Sequence, residues 1–147
     1  MSLKIYLDNC CFNRPFDDQD SLVVRLETEA KLHVQQMVKD GKLTLCWSYV
    51  LDYENSLNPF QERRIEIQRW KVLASECVME KPEVLALSKT ALAQGIKPFD
   101  ALHLACAQAM KCDIFLSVDK GILRKSQEID GIKIVSPIDF VIEKEGA

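Results

Sequence analysis

Two hydrophobic patterns take turns along this chain: short continuous apolar runs, and longer stretches whose apolar residues recur with a helical period. Lys4 to Leu7 is a short β-branched and aromatic run that stops at Asp8, which predicts a strand ending on an acid. Asn9 to Asp18 is so dense in turn formers that it reads as an irregular loop. Ser21 or Asp20 is placed to cap a helix running to about Lys39. Its apolar face would carry Leu22, Leu26, Ala30, Val34 and Met37, and Asp40-Gly41 stops it. Leu43 to Trp47 predicts a second strand. A helix follows from Ser48, carrying Asp52 and Glu54, and breaks at Asn58-Pro59. An amphipathic helix is expected from about Gln61 to Glu76, and another from Pro82 to Gln94, stopped by Gly95.

The stretch from Lys97 to Ile122 organises the rest. Lys97-Pro98 suits a helix start, because proline loses nothing where the first amides lack intrahelical partners. Asp100 falls in the first turn, where the helix dipole favours a carboxylate. Ala101 to Met110 is apolar on nearly every face and predicts a buried helix. Asp113 to Val118 then reads as a core strand, with Asp119 immediately after it. A polar segment, Lys120 to Asp130, leads over Gly131 to a last strand at Ile132 to Val135 and a terminal helix or turn from Pro137 through Glu143.

Strands alternating with helices define an α/β class: one domain over residues 1–147, with a central parallel sheet of about four or five strands flanked by helices. In such sheets ligands bind beyond the carboxyl ends of the strands. Asp8 and Asp119 lie just past two such ends, and Asp100 lies at a helix start. Glu54 is about six residues into its helix, roughly 9 Å along the axis, and joins them only if that helix leans across the sheet end. Asp52 competes with it, but the two are about 200° apart around the helix, so only one can face the site.

Composition narrows the function without choosing it. With 147 residues, 48% of them hydrophobic, and only five glycines and five prolines, the chain is long enough to bury a sizeable core. The net charge of -3 gives no general pull toward nucleic acid, so a polyanion would have to be held by a local basic patch or by metal ions. The six cysteines form no CxxC pair, and only His33 and His103 are available beside them, which argues against a zinc site or a disulfide framework. No leader segment or apolar run of membrane-spanning length stands out, so a cytoplasmic location is expected.

Converging Asp and Glu side chains without His or Cys ligands suit hard cations that prefer oxygen, chiefly Mg²⁺ or Mn²⁺. Like charges raise one another's pKa values, and a divalent ion removes that conflict while activating water and neutralising phosphate charge. Metal-assisted phosphodiester hydrolysis is the chemistry such a set offers. His103, one turn after Asp100, is expected in a core or helix–helix hydrogen bond rather than as a general base. Arg14, Lys97, Lys120, Arg124 and Lys125 flank the acids in sequence and offer contacts to the phosphates of a polyanion.

These pieces resemble the PIN-domain nucleases over nearly the full chain. They are YLD at the first strand, SYVLDYE with a hydroxyl residue six positions before its Glu, DALHLACA, and FLSVD. The resemblance implies that Asp8, Glu54, Asp100 and Asp119 form a metal-binding acidic tetrad, and that Ser117, two residues before the last acid, supports the site, with Asn9 beside the first acid. Many members carry a small hydroxyl residue after the first acid, where this chain has Asn9. The resemblance is to the VapC-like type, single-strand-specific ribonucleases that serve as toxins of type II toxin–antitoxin pairs. It implies a small antitoxin partner, homodimers and an RNA substrate. Competing readings are an RNA-processing or orphan nuclease, a phosphatase with an aspartyl nucleophile, and a non-catalytic metal- or RNA-binding module. The phosphatase reading lacks the second acid of a DxD, since Asp8-Asn9-Cys10 stands there.

Overall fold

A computed structural model describes residues 3–145. Five parallel strands form one sheet: β1 (Leu3–Leu7), β2 (Leu43–Ser48), β3 (Glu76–Val78), β4 (Ile114–Leu116) and β5 (Lys133–Val135), in the spatial order β3-β2-β1-β4-β5. β1 is central and covered on both faces, which is why Ile5, Tyr6 and Leu7 are all fully buried. Its register sets Tyr6 beside Cys46 on one side and Phe115 on the other, and the Tyr6 and Phe115 rings stack 5.4 Å apart.

Helices fill the connections: α1 (Asn9–Asn13), α2 (Leu22–Lys39), α3 (Tyr49–Ser56), α4 (Gln61–Lys71), α5 (Pro82–Ala93), α6 (Pro98–Ala109), α7 (Lys120–Arg124) and α8 (Pro137–Glu145). The chain leaves β1 for β2 on one side, and β4 returns to the other. The sheet therefore reverses its winding between β1 and β4, and a crevice at that point faces the carboxyl ends of both strands. The expected α/β class and parallel sheet are what is found. No helix among the described residues is long and apolar enough to cross a membrane.

Local signals explain most boundaries. Ser21, not Asp20, caps α2 by accepting from the Val24 amide, and Gly41 (φ 77°) takes the left-handed conformation that ends it. Ser48 caps α3, and Pro82 and Pro98 each stand in the first turn of a helix.

Three elements and one buried face differ from the sequence reading. The expected loop after Asp8 is helical, as α1 followed by a 3₁₀ turn at Arg14–Phe16. The Asp8 side chain starts it, and Cys11 and Phe12 anchor it in the core. The helix from Gln61 ends at Lys71. The Ser75 amide is captured by the Leu45 carbonyl at 2.9 Å, and Glu76–Val78 adds to the sheet edge as β3. The polar segment after Asp119 contains α7 and a 3₁₀ turn at Ser126–Glu128. On α2, Leu22 and Leu26 are about half exposed, while the buried face passes through Ala30, Lys31, Val34, Gln35 and Val38. Two polar residues thus take inward positions that the hydrophobic pattern alone would not assign.

Candidate active site

Asp8 follows β1 directly and is 4% exposed. Its Oδ1 accepts from the Asn9 amide at 2.8 Å, as the cap of α1, and its Oδ2 accepts from the Ser117 hydroxyl at 2.9 Å. Ser117 Oγ in turn accepts from the Asp119 amide at 3.0 Å. One buried hydroxyl, just past the end of β4, therefore ties the Asp8 carboxylate to the backbone of Asp119. Cys10 Sγ lies 3.5 Å from both Asp8 Oδ2 and Ser117 Oγ, so it is a neighbour of the site that its sequence position did not single out. Asn9 contributes its backbone amide to Asp8, while its buried side-chain Oδ1 has no hydrogen-bond partner. Asp119 spends one oxygen capping α7 at the Gly121 amide, 2.7 Å away.

Asp100, in the first turn of α6, is pushed up to about 6. Partial burial is the largest cause, and the charges of Asp8 and Asp119 add to it, whereas His103 and Lys97 oppose it. Asp8 and Asp119 are thus close enough for their charges to be felt at Asp100. This is the mutual repulsion expected of acids gathered at one sheet edge.

Glu54 reaches this group through His103. The Glu54 carboxylate pairs with His103 Nε2, and that same nitrogen lies 3.8 Å from Asp8 Oδ1. On the other side of the ring, His103 Nδ1 meets the Tyr6 hydroxyl at 2.6 Å, and Tyr6 meets Ser48 Oγ at 2.6 Å. Ser48 also accepts from the Leu51 amide at 3.2 Å. With a neutral His103 ring, one ordering of donors satisfies all four groups: Ser48 to Tyr6, Tyr6 to His103 Nδ1, and His103 Nε2 to Glu54. Burial would lower the His103 pKa, but the Glu54 hydrogen bond and the charges of Asp8 and Asp100 outweigh it, and the net shift is upward. His103 is therefore a bridge between α6 and α3, the helix–helix role expected from sequence. Tyr6 carries no such signal, because it reads as an ordinary strand aromatic. Asp52 faces away, bound to Trp47 Nε1 at 2.9 Å and Lys71 at 2.8 Å, which leaves Glu54 as the acid of α3 that turns toward the cluster.

The Ser48 hydroxyl holds both the start of α3 and the far end of this chain. Replacing it with alanine should cost about 1 kcal/mol of stability, read as a lower denaturant midpoint with an unchanged slope.

The donor set consists of carboxylate oxygens, which suits Mg²⁺ or Mn²⁺ in chemistry. Among the described residues, no three His, Cys, Asp or Glu side chains converge closely enough to enclose an ion, so binding would require carboxylates to turn inward. Among the basic residues, Lys97, Arg124 and Lys125 line a cleft of about 220 Å³ together with Asp100. Lys120 begins α7 and is exposed. The Arg14 guanidinium is already paired with Asp17 at 2.9 Å and Glu27 at 3.3 Å.

The PIN domain family model matches residues 5–128, which takes in most of β1, all of β2, β3 and β4 and the acids above, and the chain belongs to that family of nuclease domains. No curated protein sequence matches it. Solved structures share the fold at low identity. VapBC from Salmonella typhimurium, solved bound to DNA, is 16% identical with a TM-score of 0.58, covering 92% of this chain and 98% of that one. FitAcB from Neisseria gonorrhoeae is 16% identical with a TM-score of 0.58, covering 90% and 97%. VapBC2 from Rickettsia felis, bound to a DNA fragment from its promoter, is 12% identical with a TM-score of 0.57, covering 91% and 98%.

Proposed function

We propose that this chain is a Mg²⁺- or Mn²⁺-dependent endoribonuclease, the toxin of a type II toxin–antitoxin pair, cutting phosphodiester bonds in single-stranded or structured RNA in the cytoplasm. The observation that carries the reading is the gathering of Asp8, Asp100 and Asp119 where the sheet reverses its winding: burial first, and then the charges of Asp8 and Asp119, raise Asp100 to about 6. Asp8, Asp100 and Asp119, with Glu54 at the margin, are the residues that would hold the ion. When bound, it supplies an activated water and positive charge against the phosphate. Ser117 fixes the rotamer of Asp8, and the His103 bridge holds Glu54 toward the cluster. Lys97, Lys120, Arg124 and Lys125 flank the acids and would hold substrate phosphates. Arg14 would have to exchange one of its ion pairs to do so.

The two VapBC assemblies among the similar structures support a small antitoxin as partner, and the family resemblance supports a homodimer. The deciding experiment incubates the purified chain with end-labelled single-stranded RNA and Mn²⁺ or Mg²⁺. Cleavage abolished by EDTA and restored by excess metal is the expected result. Metal-independent cleavage would overturn the metal reading, and no cleavage of a mixed RNA pool would overturn the nuclease reading.

A further inference from the structure

Away from the acids, a cavity of about 180 Å³ opens between α2, α4 and the Phe12–Phe16 segment. Phe12, Phe16, Ile67 and Trp70 give it apolar walls. Two polar residues of α2, Lys31 and Gln35, line it one helical turn apart, and they are 4% and 1% exposed. No hydrogen bond or ion pair among the described residues reaches the Lys31 ammonium. It lies only against ring faces, 5.6 Å from the Phe12 centroid and 5.7 Å from that of Trp70. The Gln35 amide has no partner for either its oxygen or its nitrogen. Glu66, on the wall contributed by α4, is paired with Arg69 at 3.1 Å.

An unpaired buried ammonium beside an unpaired buried amide is costly, and apolar residues of the same size would fill these positions without that cost. Burial pushes the Lys31 amine down to about 8, with Cys11 and Glu66 opposing part of that shift, so it remains largely charged near neutral pH without a hydrogen-bonded counter-anion. The rings stabilise the cation in part, but they accept nothing from its remaining N–H groups. What would satisfy the donors of both residues, the Lys31 ammonium and the Gln35 amide nitrogen, is an acceptor of two or more hydrogen bonds, carrying one negative charge, on an apolar body that lies between the aromatic walls.

We propose that this cavity is a binding site for a small monocarboxylic acid with an aromatic or branched apolar body. Its carboxylate would be held by Lys31 and the Gln35 amide nitrogen, and its body by Phe12, Phe16 and Trp70. The size agrees: an apolar cavity of about 150 Å³ holds a benzene ring. This site is separate from the acidic cluster, so its test does not depend on nuclease activity.

The full chain is titrated with sodium benzoate and with isovalerate, with benzyl alcohol and benzylamine as controls. Binding is followed by calorimetry and by melting temperature. Saturating benzoate should raise the melting temperature by about 3 °C or more. The alcohol should bind at least about tenfold more weakly and the amine not at all. Lys31→Met, which replaces the buried cation with an apolar side chain of similar length, should melt no lower than the wild type and lose at least about tenfold in benzoate affinity. Gln35→Leu provides a second variant with the same expectation of weakened binding. Equal affinity for benzoate and benzyl alcohol, or undiminished benzoate binding by Lys31→Met, would overturn the proposal. A benzoate-soaked crystal with only ordered water between Lys31 and Gln35 would overturn it as well.

Discussion

Asp8→Asn should reduce RNA cleavage in Mg²⁺ by about 100-fold or more while leaving the protein folded. The side chains have nearly the same shape, and asparagine retains an oxygen to cap α1 at the Asn9 amide. The Ser117 hydroxyl, which donates to Asp8 Oδ2 in the parent, can instead accept from the new amide. The loss therefore falls on charge rather than on fold: one anionic ligand is removed from a set of three or four. Circular dichroism and melting temperature should change little, and single-turnover cleavage should collapse. Ser117→Ala is the informative companion. It keeps every carboxylate but frees Asp8 and the Asp119 amide from their shared hydroxyl. A loss of about 10- to 100-fold, mainly through weaker metal affinity, is expected. If Asp8→Asn cut RNA at the parent rate, the acidic cluster would not be the catalytic centre.

The parts of this site differ in how far they could be read from the chain. Asp8, Asp100 and Asp119 were legible because each sits at a point where strand and helix patterns meet, and a parallel sheet gathers such points on one edge. Glu54 was less so, since its position depends on the lean of α3, a property of packing rather than of period. The contact that settles it, through His103 to Tyr6 and Ser48, joins residues 42 to 97 positions apart, and no local pattern encodes it. The element readings missed for similar reasons. α1 forms among turn formers because Asp8 caps it and Phe12 enters the core, and β3 is three residues long, too short for a period of two to show. Lys31 and Gln35 face inward on a helix whose other buried positions are mostly small or apolar, so only the assembled structure shows that the Gln35 amide is without partners and that the Lys31 ammonium lies over aromatic rings.

Asp100→Asn should make the metal-free protein more stable near neutral pH by about 1–2 kcal/mol, although it removes a proposed metal ligand. In the parent, burial and then the charges of Asp8 and Asp119 raise the Asp100 carboxyl from its ordinary value of 3.8 to about 6. A raised folded-state value means that the folded protein holds this proton more tightly than the unfolded chain. The associated stability is fully present below about pH 4 and is lost as pH rises through about 6. A two-unit shift corresponds to almost 3 kcal/mol. Asp100 is only partly buried, so solvent screening reduces that to the smaller figure. His103, whose value is also raised, gives a trend of the same sign over a neighbouring range. The parent profile alone would therefore not assign the effect, and the comparison with Asp100→Asn does. Without metal, parent stability should decline from pH 5 to pH 7.5, and the variant should show a visibly flatter profile. Added Mn²⁺ should restore the parent at pH 7.5 by neutralising the gathered carboxylates, and it should do much less for the variant. Superimposable pH profiles for the two proteins in EDTA would show that the three acids do not repel one another in solution and need no shared ion between them.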